Sequence, residues 1–235
     1  MKQRLLLWDI DGTLLLTQGA GMRGMKRASQ LLYGEAFRWD GIDVSGRLDP
    51  MIFEEALALN GLAPTGDGHR TFHDAYLFEL ARELEQISDG GRALPGVREL
   101  VVHLHARREA KGDVIQGLVT GNYAKAAPMK LRACGFDTSW FEITAFGDEG
   151  RTRSDLVALA LRKCAEHTGR APDPSNVVVI GDTPRDIECA HAHGCVAFAV
   201  ATGSYSLAEL RAAGADVVVG NLSDPAPLLE LIGGA

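Results

Sequence analysis

Two carboxylates, Asp9 and Asp11, close an apolar run in the stretch LLLWDIDGTLLLT at positions 5 to 17. Strand side chains alternate between faces, so residues two apart point the same way unless the chain turns between them. Acids at that spacing repel each other. An Asp-Gly turn at Asp11 and Gly12 accounts for the pair as a solvated strand end; a shared cation accounts for it as chemistry. Two more apolar runs end in polar residues of the same kind. Thr120, Gly121 and Asn122 follow VIQGLV, and Asp182, Thr183 and Asp186 follow NVVVIG. Brought to one place, Asp9, Asp11, Asp182 and Asp186 make an all-oxygen set that suits Mg²⁺.

The elements that would bring them together are legible from hydropathy. The runs at 4–10, 114–120, 176–181 and 196–200 are short, continuously apolar and rich in Val, Ile and Leu, as strands covered on both faces should be. Weaker runs at 215–220 and 142–147 add two more. Helical patterns over 95–109, 124–134, 154–167, 184–193, 206–213 and 225–232 lie between most of them. Strand alternating with helix predicts an α/β fold, a Rossmann-like parallel sheet with helices on both faces. Ligands of such sheets bind beyond the carboxyl ends of the strands, which is where these polar residues fall.

Residues 18–92 break the alternation. GMRGMKRASQLLYG, DPMIFEEALALNG and HRTFHDAYLFELARELEQI read as helices, with no strand expected among them. The organisation this predicts is an α/β core of residues 1–17 and 93–235, interrupted by an all-helical cap of residues 18–92. Within the insertion, GAGMRG at 19–24 is a literal G-x-G-x-x-G with Asp43 about twenty residues on. A dinucleotide site, and with it an oxidoreductase, would need that motif directly after a strand. Eight residues separate Ile10 from Gly19, so the glycines are expected to form a hinge instead. His69 and His73 have metal-ligand spacing on one helix, but no third ligand stands near in sequence, and solvated cap histidines are the expectation.

Composition narrows the function classes. A net charge of −7 gives no overall attraction to nucleic acid or to an anionic membrane, while leaving room for a local site that takes a small anion. Cys134, Cys164, Cys189 and Cys195 form no C-x-x-C pair, and reduced, structural cysteines in a cytoplasmic protein are expected. The opening MKQRLLLWDI has basic residues before apolar ones, but Asp9 cuts its apolar run too short for a signal peptide. No apolar stretch approaches the roughly 20 residues of a membrane span.

Taken together and in this order, DIDGT, VTGN and GDTPRD, with LPGV at the return from the insertion, resemble the motifs of the haloacid dehalogenase superfamily. The resemblance is to its phosphatases with a helical cap after the first strand, of the phosphoglycolate phosphatase kind. It implies that Asp9 is the nucleophile and forms an aspartyl-phosphate, and that Asp11 is the general acid and base. Mg²⁺ would be held by Asp9, the Asp11 main-chain carbonyl and Asp182, with Asp186 as an outer partner. Thr120, Gly121 and Asn122 would bind the phosphoryl oxygens of a small phosphorylated metabolite, and Arg47 in SGRLDP would meet an anionic group from the cap. A sugar phosphomutase of the β-phosphoglucomutase kind is the nearest alternative.

The family's third motif usually supplies a lysine, and here the pattern departs. Lys125 and Lys130 fall within the helix after TGN, and Lys163 late in the 154–167 helix. DEGRTRSDLVALAL offers Arg151 and Arg153. Arg153, directly before a helix with Ser154 as its expected N-cap, is the expected replacement, with Arg151 left in the loop.

Overall fold

A computed structural model describes residues 3–87 and 92–233. The chain opens with β1 (Arg4–Trp8) and β2 (Leu15–Leu16), then runs through helices α1 (Ala20–Tyr33), α2 (Asp49–Leu59) and α3 (Gly66–Glu85) to β3 (Arg92–Ala93). Strict alternation follows: α4 (Val97–Lys111), β4 (Val114–Val119), α5 (Ala126–Ala133), β5 (Ile143–Ala145) and α6 (Arg153–Thr168). It continues with β6 (Val177–Gly181), α7 (Pro184–Ala192), β7 (Val196–Val200), α8 (Leu207–Ala212), β8 (Val217–Val219) and α9 (Ala226–Leu231). Six strands pair in parallel in the order β5-β4-β1-β6-β7-β8, the expected α/β architecture.

The strands form because their side chains are covered on both sides. Leu6 and Trp8 of β1 join one apolar cluster with Val178 and Ile180 of β6, while Leu5 and Leu7 join the opposite one with Val177 and Val179. Each such side chain contributes about 1.5–3 kcal/mol on burial, which outweighs the modest helix propensity of a leucine run. The strand order reverses at β1: the chain moves out through β4 and β5, then returns to β6 on the other side. That reversal opens a crevice at the carboxyl ends of β1, β4 and β6.

The segment between β2 and β3 is helical, as its sequence suggested, but its two ends are tied by a feature not anticipated there. Leu15 and Leu16 pair antiparallel with Ala93 and Arg92, so the outgoing and returning chain lie side by side. Above this neck α1 and α3 pack closely. A Cβ on Gly24 would come within 3.2 Å of the Leu80 nitrogen, so the glycine permits the approach of the two helices. The GAGMRG glycines therefore divide their roles. Gly19, at φ +81°, is the N-cap of α1 and fits the hinge reading, whereas Gly21 and Gly24 are buried inside the helix. Phe53 stacks on Phe72 with ring centroids 3.5 Å apart, and this helical cluster also takes in Tyr123 and Ala126 beside α5. The inserted helices thus lie against the carboxyl edge of the sheet.

Candidate active site

Asp9 directly follows β1 and Asp182 directly follows β6, and both are buried. The Asp9 N–H still donates to the Ile180 carbonyl at 2.9 Å, so sheet hydrogen bonding fixes its backbone even though the strand ends at Trp8. Asp186 lies in the first turn of α7. One oxygen from each of Asp9, Asp182 and Asp186 lies within 4.8 Å of the others. Asp182 fits because Gly203 lacks a side chain: a Cβ there would overlap the carboxylate. Thr13 Oγ1 donates to Asp182 Oδ1 at 3.2 Å.

Arg153 answers this negative charge. Its Nη2 lies 2.8 Å from Asp9 Oδ1 and 2.6 Å from Asp186 Oδ1, and it donates to the Val119 carbonyl at 3.3 Å. Burial works against the guanidinium, but Asp186 and Asp9 outweigh it and hold its pKa above the ordinary arginine value. Arg151 points elsewhere, to Glu54 at 3.3 Å, with its side chain 73% exposed. The N-cap lies two residues before the expected one. Thr152, not Ser154, caps α6, with Thr152 Oγ1 accepting from the Asp155 N–H, and Arg153 becomes the first helical residue. Asp186 divides its two oxygens between separate partners. Its Oδ2 accepts from the Thr183 N–H and hydroxyl at 3.0 and 2.7 Å, a capping box, while Oδ1 faces Arg153.

One guanidinium does not balance three buried acids. Burial pushes the Asp9 carboxyl up to about 6; Arg153 opposes the shift, and the Asp186 and Asp11 charges add to it. Burial, followed by the charges of Asp9 and Asp186, pushes Asp182 up to about 8. An oxygen-only cluster whose acids resist ionising together fits a hard divalent cation, whose charge would remove the penalty.

Asp11 stands outside this cluster. Its Oδ2 accepts from Asn122 Nδ2 and from Lys130 Nζ, both at 2.7 Å, and its side chain is 43% exposed. Asn122 Nδ2 also donates to Thr120 Oγ1 at 2.8 Å, and Thr120 is fully buried. The two strand-end acids therefore have separate partners, Arg153 for Asp9 and Lys130 for Asp11. Lys130 is the residue sequence reasoning passed over. Its helix carries Ala126, Ala127 and Leu131 on the buried side, and Lys130 shares that stripe. A lysine inside an apolar i, i+3, i+4 stripe is the signal that marks it.

Gly121 lies where α2 approaches the sheet, and a Cβ on it would overlap the Arg47 carbonyl. Arg47 does line the cavity over the acids, but its Nη1 lies 2.5 Å from Glu55 Oε2 and donates to the Asp43 carbonyl at 3.0 Å. Asp49 also faces the cavity. It accepts from the Tyr123 N–H at 3.1 Å, and burial, opposed by Lys130, pushes it up to about 7. His69 and His73 are half-buried rather than solvated. Both rings pack on Tyr123, whose hydroxyl lies 3.0 Å from His69 Nε2.

The whole arrangement bounds a cavity of about 370 Å³ between the inserted helices and the sheet edge. Its lining brings the carboxyl groups of Asp9 and Asp11 together with the basic groups of Arg153 and Lys130, a setting that suits a small anion held against a cation.

Comparisons with known proteins agree with this fold. No curated protein matches the chain. Among solved structures, CbbY from Rhodobacter sphaeroides, in complex with xylulose-(1,5)bisphosphate, superposes with a TM-score of 0.74 at 20% identity, over 94% of this chain and 96% of that one. A structure described as a predicted phosphoglycolate phosphatase from Haemophilus somnus gives 0.69 at 20% identity, over 97% and 98%. A β-phosphoglucomutase from Clostridium difficile gives 0.70 at 15% identity, over 99% and 97%. At these identities the likeness is one of fold. The family description "haloacid dehalogenase-like hydrolase" matches residues 3–194, and on that match, with the acid cluster at the carboxyl edge of the sheet, the chain belongs to the haloacid dehalogenase-like hydrolases.

Proposed function

We propose that the protein is a Mg²⁺-dependent phosphatase that hydrolyses a small phosphate monoester through an aspartyl-phosphate on Asp9. The observation that carries this reading is the convergence of Asp9, Asp182 and Asp186 on one point, with Arg153 against them. Asp9, Asp182 and the Asp11 main-chain carbonyl would hold the cation, with Asp186 behind them. When bound, a divalent ion offsets the repulsion between the Asp9 carboxylate and a phosphate dianion.

The chain's own residues do the rest. A carboxylate oxygen of Asp9 attacks the phosphorus, and the bond to the leaving alcohol breaks on the opposite side. Asp11 gives that alcohol its proton, then takes one from the water that cleaves the acyl phosphate. Thr120, the Gly121 N–H and Asn122 hold the phosphoryl oxygens, and Arg153 keeps positive charge beside Asp9. Lys130, bonded to Asp11, keeps that acid in place. Residues 1–17 and 93–235 act as the catalytic core and residues 18–92 as a cap that excludes water, the β2–β3 neck joining them. All four cysteines are free and buried, and no helix among the described residues is long and apolar enough to cross a membrane, which accords with a cytoplasmic enzyme of small metabolites.

Phosphate release from a panel of phosphorylated metabolites, with and without Mg²⁺, tests the reading. Asp9→Asn should abolish release, and Asp11→Asn should slow alkyl phosphates far more than nitrophenyl phosphate, whose leaving group needs no proton. Undiminished release after exhaustive chelation would refute the metal assignment.

A further inference from the structure

The cap side of the cavity is unlike its floor. Leu16, Met22, Met25, Val44 and Ile52 present apolar surface there, and three basic side chains line the cavity as a whole, among the described residues. Each already has an acid. Arg153 faces Asp9 and Asp186, Lys130 faces Asp11, and Arg47 faces Glu55. A second anionic group on the substrate would find no free cation and would sit near Asp49, a further carboxyl of the lining.

Among the described residues that line the cavity, two buried polar atoms make no hydrogen bond, Arg153 Nε in the acid cluster and the Tyr76 hydroxyl on the cap side. The Tyr76 hydroxyl is fully buried and makes no hydrogen bond, which costs free energy unless a ligand supplies the partner. It lies next to Gly21, as does Lys130: a Cβ on that glycine would lie 3.7 Å from the tyrosine oxygen and 3.2 Å from Lys130 Nζ.

Resting on the phosphatase reading above, we infer that the substrate is the phosphate monoester of an uncharged alcohol, apolar along most of its length and carrying a further hydroxyl that bonds to Tyr76. The volume of about 370 Å³ lies near the lower end for small-molecule sites, so the alcohol is short. This distinguishes the site from one built for a carboxylated or bisphosphorylated substrate.

The test is a series of primary alkyl phosphates from ethyl to hexyl, each with its terminal-hydroxyl and terminal-carboxylate analogue, assayed with Mg²⁺. Their leaving groups are alike, so differences in kcat/KM report the cap side of the cavity. At the best length the hydroxyl analogue should exceed the plain alkyl ester about five- to tenfold, one hydrogen bond's worth. The carboxylate analogue should fall at least about tenfold below the alkyl ester. Tyr76→Phe, which keeps the ring packed on Phe72, should bring the hydroxyl-to-alkyl ratio close to one. A carboxylate analogue that equals or beats the alkyl ester would mean that Arg47 leaves Glu55 for substrate, and would overturn the inference. So would a hydroxyl preference that survives Tyr76→Phe. Failure to release phosphate even from nitrophenyl phosphate is a different result, and would overturn the phosphatase reading and this inference with it.

Discussion

Replacing Arg153 by alanine leaves Asp9 and Asp186 buried without the guanidinium that lies 2.8 and 2.6 Å from them. Removing one partner of a buried ion pair typically costs about 3–5 kcal/mol, because the remaining charge keeps its desolvation penalty. For a chain of this length each kcal/mol moves the Tm by about 2–4 °C, so the loss should be roughly 6–20 °C. Arg151 makes an exposed contact with Glu54, screened by solvent and salt, and exposed pairs contribute about 0–1 kcal/mol. Its alanine variant should lose less than about 4 °C. Activity should separate the two in the same order. Loss of a charged group aimed at the reacting centre typically lowers kcat by about 10²–10³, whereas Arg151→Ala should stay near wild type. Arg153→Lys should recover part of both losses, since the charge returns but the bond from Nη1 to the Gly46 carbonyl does not. Thermal unfolding by circular dichroism and phosphate release on the same preparations provide both readouts. Equal losses for the two alanine variants, or the reverse ranking, would refute the assignment of Arg153 as the site's charge partner.

Three further outcomes are expected. Lys130→Met removes the cation bonded to Asp11, so kcat/KM should fall more for alkyl phosphates than for nitrophenyl phosphate; a uniform loss would show that Lys130 does not act through Asp11. Asp9 and Asp182 have folded pKa values raised to about 6 and about 8, above the unfolded value near 3.8. The folded, metal-free protein then binds more protons than the unfolded chain between about pH 4 and 8, so its stability should fall as pH rises through that window. Mg²⁺, which favours the ionised acids, should therefore raise the Tm more at pH 8 than at pH 5, with proton release in calorimetry; an equal shift at both pH values would count against the cluster as its site. Gly203→Ala places a methyl group against the Asp182 carboxylate and should weaken Mg²⁺ binding by about 10–100-fold, measurable by titration calorimetry, with unchanged affinity as the contrary result.

The sequence by itself determined the sheet, the edge at which chemistry gathers, and most of the acids there. Leu5 to Trp8, Val114 to Val119 and Val177 to Gly181 are apolar on both faces, and only a sheet covered on two sides satisfies that pattern. Asp9 and Asp182 were legible because each directly follows such a strand, where chain direction alone fixes the side on which they emerge. Arg153 is legible in outline, since a basic residue next to a helix start has a fixed backbone, although the cap is Thr152 and not the Ser154 that the sequence suggests. The tertiary structure decided what depends on distance through space. The apolar stripe around Lys130 marks it in sequence as a buried lysine but not its partner; only the approach of α5 to the β1 end brings its Nζ to Asp11 across 119 positions of chain. Arg47 reads as an open cation until α2 supplies Glu55 beside it. Gly21 and Gly24 read as a loop motif until α1 and α3 are packed together, when the missing side chains become the room for Lys130, Tyr76 and the Leu80 backbone. Period and strand direction are local and survive in a one-dimensional pattern, whereas which charge is already paired depends on residues far apart in the chain.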